Sequence, residues 1–130
     1  EWIFDNNSLH FKRGARTENR SKPDFLYPGI EQYADTTFPN EYLTMLGVKT
    51  SCKDRWRQVL NEAHRIPDKH LLTLQPAISE HQIAEMEQAR LTLVIPATLH
   101  SSYNDKQRNQ LLCLQGFISL VSYRQSQWMS

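Results

Sequence analysis

Scarcities narrow this sequence before any motif does. It has only two cysteines, Cys52 and Cys113, which form neither a CxxC pair nor a disulfide framework. A thiolate zinc centre and a disulfide-stapled scaffold are thereby excluded. Both cysteines fall on apolar helical faces and are read as buried free thiols in a reducing compartment. The five histidines show no zinc spacing, and Pro67 separates His64 from His70. No apolar run approaches the ~20 residues of a membrane-spanning helix, and the start is not of signal type. The expectation is a soluble intracellular protein with no membrane partner. There are no repeats, linkers or low-complexity segments. The chain opens on Glu1 rather than methionine and enters a strand-like run at once, so residues 1–130 are read as one domain of a longer protein.

Nor is there an excess of charge of one sign. A formal net charge of +1 names no polyanionic partner by itself. The distribution says more. Lys12, Arg13, Arg16, Arg20 and Lys22 cluster, and so do Lys49, Lys53, Arg55 and Arg57. Solvated charged faces remain the alternative reading of both clusters.

The order of elements points to an α/β fold. Trp2-Ile3-Phe4 and Leu9-His10-Phe11 flank the turn sequence Asp5-Asn6-Asn7-Ser8, which predicts a hairpin. Phe25-Leu26-Tyr27, between Pro23-Asp24 and Pro28-Gly29, reads as a short strand. Ile30 to Asn40 reads as loop with one helical turn. Leu43 to Lys49 is an apolar strand that delivers a lysine at its end. Cys52, Trp56, Val59, Leu60, Ala63 and Ile66 then recur at helical spacing, predicting a helix from Cys52 to Arg65. A strand at Leu71–Leu74 follows. Ser79 opens a helix running to about Arg90, and Leu91–Ile95 is a fully apolar strand. Asn104 caps an expected long helix from Asp105 to about Tyr123, apolar over most of its circumference and so deeply packed or an oligomer contact. The sum is a mixed central sheet flanked by helices.

Three residues carry chemistry. Asp24, Lys49 and Glu62 supply an acid, a strand-end lysine and a second acid. Phosphodiester hydrolysis needs hydroxide delivered to an anion and relief of the charge that develops. A divalent cation between two carboxylates does both. Magnesium takes oxygen ligands and keeps several waters, so two carboxylates suffice, and a lysine beside it orients or deprotonates the attacking water. About three extended residues carry the chain ~10 Å beyond Lys49. Ten helical residues return it ~15 Å, bringing Glu62 level with Lys49. At the projecting helix start, Lys53-Asp54-Arg55 has the donors and acceptor to read G·C pairs in a major groove. Each residue also has a bland reading: turn chemistry for Asp24, a surface pair with Gln58 or Arg65 for Glu62, first-turn surface charges for the triplet, and an ordinary half-buried tyrosine for Tyr33.

The segments Lys-Pro-Asp-Phe-Leu at 22–26, Lys-Thr-Ser-Cys-Lys-Asp-Arg-Trp-Arg-Gln-Val-Leu-Asn-Glu at 49–62 and Leu-Thr-Leu-Gln-Pro at 72–76 resemble the catalytic domain of EcoRII-like type II restriction endonucleases. These belong to the PD-(D/E)XK nucleases. The resemblance runs from about Ser21 to the last helix. It implies a restriction-endonuclease-like core and an altered motif. The acid usual two residues before the lysine is Gly47 here, and the second acid stands thirteen residues after it, at Glu62. It further implies Asp24, Lys49 and Glu62 as active site, Asp24 and Glu62 as Mg2+ ligands, and Tyr33 and Lys53 as accessory residues. Lys53, Asp54 and Arg55 would read the CC:GG part of a CCWGG-like target on double-stranded DNA. The enzyme would be a homodimer in a prokaryotic cytoplasm. Relative to such enzymes, an N-terminal effector domain and the start of the catalytic domain are expected to lie outside these 130 residues. Two other functions remain open: a DNA-binding module that no longer cuts, and a protein-interaction domain using the apolar 105–123 helix.

Overall fold

The computed structural model describes residues 2–6, 9–14, 24–51 and 55–129. Six strands form one mixed sheet, in the order β1 (Lys12–Arg13), β2 (Phe25–Tyr27), β3 (Thr44–Lys49), β4 (Lys69–Thr73), β5 (Leu91–Val94) and β6 (Leu111–Leu112). The pairs β1–β2 and β2–β3 are antiparallel, and β3 through β6 run parallel. The parallel half needs crossovers. These are the 3-10 helix Arg55–Asn61 and the helices α3 (Glu80–Gln88) and α4 (Asp105–Arg108). The remaining helices are α1 (Trp2–Asn6), α2 (Ile30–Ala34) and α5 (Leu114–Met129). Among the described residues no helix is long and apolar enough to cross a membrane.

Alternation along the strands divides the core in two. Met45, Leu71 and Leu93 face Trp56, Val59, Ile83 and Met86 on one side of the sheet. Leu46 and Val94 face Phe4, Phe117, Ile118 and Val121 on the other. The α/β sandwich expected from the order of elements is the observed architecture. Register sets Lys49 opposite Thr73, so both lie at the carboxyl ends of adjacent parallel strands. Ligands of open α/β sheets bind at that end.

Three expectations are corrected. The N-terminal stretch is no hairpin, because Trp2–Asn6 is a helical turn. Its Phe4 ring packs edge-on to Phe11, Phe25 and Tyr27 at centroid distances of 5.1–5.5 Å. Short apolar runs fit either period, and this aromatic contact decides between them. The 105–123 helix is interrupted. α4 stops after four residues, and Leu111–Leu112 becomes β6 against Leu93–Val94. Leu112 accepts the Ile95 N–H at 2.8 Å. An apolar stretch with no helical face serves better as a cover for the β5 edge. Cys113 accordingly precedes α5, half-buried, its Sγ accepting the Gly116 N–H. The segment after Lys49 also departs from expectation, and it shapes the site.

Candidate active site

The apolar spacing predicts a helix from Cys52 to Arg65; residues 52–54 lie outside the described residues, and Arg55–Asn61 form a 3-10 helix. Seven residues at ~2.0 Å each cover ~14 Å, so the chain returns about as far as the expected helix would have taken it. The tighter winding also aligns every third residue. Trp56 and Val59 are buried against the sheet, and Glu62 follows them on that side, its N–H donating to the Val59 carbonyl at 3.1 Å. The turn ends at once: Ala63 is fully buried and holds φ at 48°. A left-handed non-glycine residue costs about 1–3 kcal/mol and persists only where its surroundings impose it.

Asp24 enters from the other direction. It stands immediately before β2, and its Oδ2 accepts the Val48 N–H at 2.7 Å. Its own carbonyl accepts the Gly14 N–H at 2.9 Å. The carboxylate is thus tied to β3 one residue from Lys49, which is half-buried at the strand end.

Glu62 registers the meeting of the three side chains. Burial pushes its carboxyl up to about 7, and the nearby Asp24 carboxylate pushes the same way. The Lys49 and Lys69 ammonium groups oppose them. Glu62 Oε1 is buried and has no hydrogen-bond partner among the described residues. Two mutually repelling acids, one with an orphaned buried oxygen, beside a lysine have the donor chemistry that could hold a hard cation. No group of three or more acidic, histidine or cysteine ligands occurs among the described residues.

Gly47 explains why the second acid is not two residues before the lysine. A Cβ at this position would meet Val59 Cγ2 at 3.2 Å and Leu71 Cδ1 at 3.5 Å. The 3-10 helix occupies the space that a side chain would need.

The remaining candidates lie around this centre. Tyr33, on α2, is buried, and its hydroxyl accepts the Arg65 N–H at 3.2 Å. The Arg65 guanidinium sits 5.5 Å from the Tyr33 ring and donates to the carbonyls of Tyr33, Asp35 and Phe38. Arg65 therefore anchors the α2 loop rather than pairing with Glu62. Arg55 is exposed at the start of the 3-10 helix. Lys53 and Asp54 lie outside the described residues, as do Pro23 and the basic residues Arg16, Arg20 and Lys22. Arg57 pairs with Glu85 of α3 and covers the Trp56 ring at 4.4 Å. On the opposite side of β3, Asp24, Arg13 and Val48 border an open cleft of about 740 Å³ whose inner wall includes Phe4, Leu46 and Leu72.

Sequence reasoning missed Lys69. Its side chain is 5% exposed, and its Nζ donates to the carbonyls of Ala63 and Ile66. Lys69 stands between Asp68 and His70 in the sequence, and no side-chain pattern singles it out.

The chain is 48% identical over 120 residues to the type II restriction enzyme EcoRII of Escherichia coli, covering 92% of this chain and 30% of that protein. It is 27% identical over 108 residues to the type II restriction enzyme SsoII of Shigella sonnei, covering 81% and 34%. The chain thus spans about a third of the length of these relatives. Its fold matches metal-depleted Ecl18kI in complex with uncleaved, modified DNA, with a TM-score of 0.82 at 19% identity over 98% of this chain and 43% of that one. A second Ecl18kI complex, with uncleaved DNA, matches with a TM-score of 0.80. The family described as EcoRII C terminal matches residues 1–118, and the chain belongs to it.

Proposed function

We propose that this segment is the catalytic part of a type II restriction endonuclease of PD-(D/E)XK type, hydrolysing phosphodiester bonds of double-stranded DNA at a CCWGG-like site with magnesium. The observation that carries the reading is the convergence of Asp24, Lys49 and Glu62 at the carboxyl end of β3 in a chain of the EcoRII C-terminal family. Two relatives named as type II restriction enzymes and fold neighbours solved on DNA support it.

Asp24 and Glu62 hold the cation in this account. When bound, magnesium supplies an acidified water and neutralises charge on the phosphoryl group. Asp24, tied to the Val48 amide, gives a fixed oxygen; Glu62 gives an oxygen whose desolvation favours a cation partner. Lys49 would orient the attacking water through its ammonium or, once its Nζ has given up a proton, accept one from that water. Tyr33 acts at one remove, because its hydroxyl holds the backbone three residues after Glu62. Lys53, Asp54 and Arg55 read the outer G·C pairs, and a homodimer brings one such centre to each strand in the bacterial cytoplasm.

The test is cleavage of a CCWGG duplex with magnesium by the intact protein and by Lys49→Ala. The expected result is a loss of cleavage by about 10²–10⁴-fold with duplex binding retained. Undiminished cutting by Lys49→Ala would remove this reading. Duplex binding without cutting by the wild type would mark a DNA-binding module, and self-association with no effect of DNA an interaction domain.

A further inference from the structure

The chemistry above needs Glu62 at one place, yet the residue that follows it is poorly suited to hold it there. Ala63 sits in the left-handed region at φ 48°, a conformation glycine adopts freely and alanine does not. Something must fix the turn. Lys69 has the chemistry to do so. A buried ammonium requires hydrogen-bond acceptors, and this one donates to the Ala63 carbonyl at 3.3 Å and to the Ile66 carbonyl at 2.5 Å. Both acceptors belong to the reversal that begins at Ala63. The same Ala63 carbonyl also accepts the Ile66 N–H at 2.9 Å. Lys69 lies at the head of β4, whose partner β3 carries Lys49 at its far end. One strand pair therefore presents a lysine to each side of the Glu62 turn, one buried under its backbone and one beside its carboxylate.

We propose that Lys69 is a positioning residue of the candidate metal site: its ammonium holds the left-handed turn at Ala63 and so fixes Glu62 opposite Asp24 and Lys49. This rests on Glu62 being a metal ligand. Lys69 touches no substrate in this account; it acts through the Ala63 and Ile66 carbonyls. Outer groups that orient metal ligands change metal affinity by about 10–100-fold when removed.

The experiment compares the intact wild-type protein with Lys69→Met, Glu62→Ala and the pair Lys69→Met/Ala63→Gly. Three readouts are taken: Mn2+ affinity by calorimetry on the DNA-bound protein, duplex affinity in EDTA, and thermal midpoint. Lys69→Met is expected to weaken Mn2+ binding about tenfold or more while duplex affinity in EDTA stays within twofold. Glycine at 63, for which the left-handed turn is free, should recover several-fold of the lost Mn2+ affinity. A merely structural lysine would lower the thermal midpoint and leave Mn2+ affinity alone, and that result overturns the proposal. Should Lys69→Met not fold, Ala63→Val decides, since it strains the same turn and keeps the cation: weakened Mn2+ binding supports the proposal and unchanged binding overturns it. Glu62→Ala separates the two levels. If it leaves Mn2+ binding unchanged, the assignment of Glu62 fails, and the role of Lys69 with it. If Glu62→Ala removes Mn2+ binding and Lys69→Met does not weaken it, only the role of Lys69 fails.

Discussion

The Asp24 carboxylate accepts the main-chain N–H of Val48 at 2.7 Å, one residue before Lys49. A carboxylate in that position does two jobs: it closes the β2–β3 pair and sets a negative charge beside Glu62. Asp24→Asn separates them. It preserves an oxygen for the Val48 amide and removes the charge. The Glu62 carboxyl should then titrate below its present value of about 7, read by carboxyl carbon chemical shifts, with cleavage lost. Asp24→Ala should add a loss of about 1 kcal/mol in stability from the missing hydrogen bond, read from the denaturant midpoint. A Glu62 titration unmoved by Asp24→Asn would mean the two acids are not neighbours.

Gly47 and Val59 form a lock between β3 and the 3-10 helix. Gly47→Ala puts a Cβ within 3.2 Å of Val59 Cγ2, and overpacking of this kind costs about 1–3 kcal/mol. Val59→Ala on its own should destabilise by leaving a cavity. The double variant should be more stable than the sum of the two losses, because each relieves the other. Strict additivity in a double-mutant cycle would show that the two positions do not press on each other.

Glu62 makes stability depend on pH in a definite direction. Its carboxyl is raised from 4.5 to about 7 in the folded protein, so folding is favoured by the bound proton. That contribution is fully present below about pH 4.5 and is lost as pH rises through 7. The shift corresponds at most to about 3 kcal/mol, and solvent screening at this half-buried carboxylate reduces it to roughly 1–2 kcal/mol. In EDTA, Glu62→Gln should therefore be more stable than wild type at pH 8 by that amount and nearly equal to it at pH 4. Parallel stability curves for the two proteins across that range would contradict the assignment.

Base selectivity tests the triplet after β3. Asp54→Ala should relax selectivity at one G·C pair by about 1–3 kcal/mol, measured as relative cleavage of duplexes substituted at that pair. Uniform weakening on every sequence would instead mark Asp54 as a positioning residue.

Most of the sheet was legible in the chain. The runs at 25–27, 43–49, 71–74 and 91–95 carry their own punctuation in Pro23, Pro28, Pro76 and Pro96, and Ser79 and Asn104 cap helices as their side chains suggest. Local pattern failed where tertiary contact decided. Trp2–Asn6 is helical because Phe4 finds three aromatic rings. Leu111–Leu112 is a strand because β5 offers an edge. The 3-10 winding of Arg55–Asn61 follows from Trp56 and Val59 packing three residues apart, a spacing that the α-helical pattern shares. Asp24, Lys49 and Glu62 were readable as types and spacings. The supporting residues were not: Lys69, Ala63 and Arg65 act through backbone carbonyls and one unusual φ, and no side-chain pattern announces those.

The most direct measurement of the central claim is anomalous scattering from crystals of the intact protein with a CCWGG duplex soaked in Mn2+. A peak is expected within coordination distance of both the Asp24 and Glu62 carboxylates, with Lys49 Nζ adjacent and the scissile phosphate beyond. A well-bound ion elsewhere, with Asp24 and Glu62 both making only protein contacts, would contradict it.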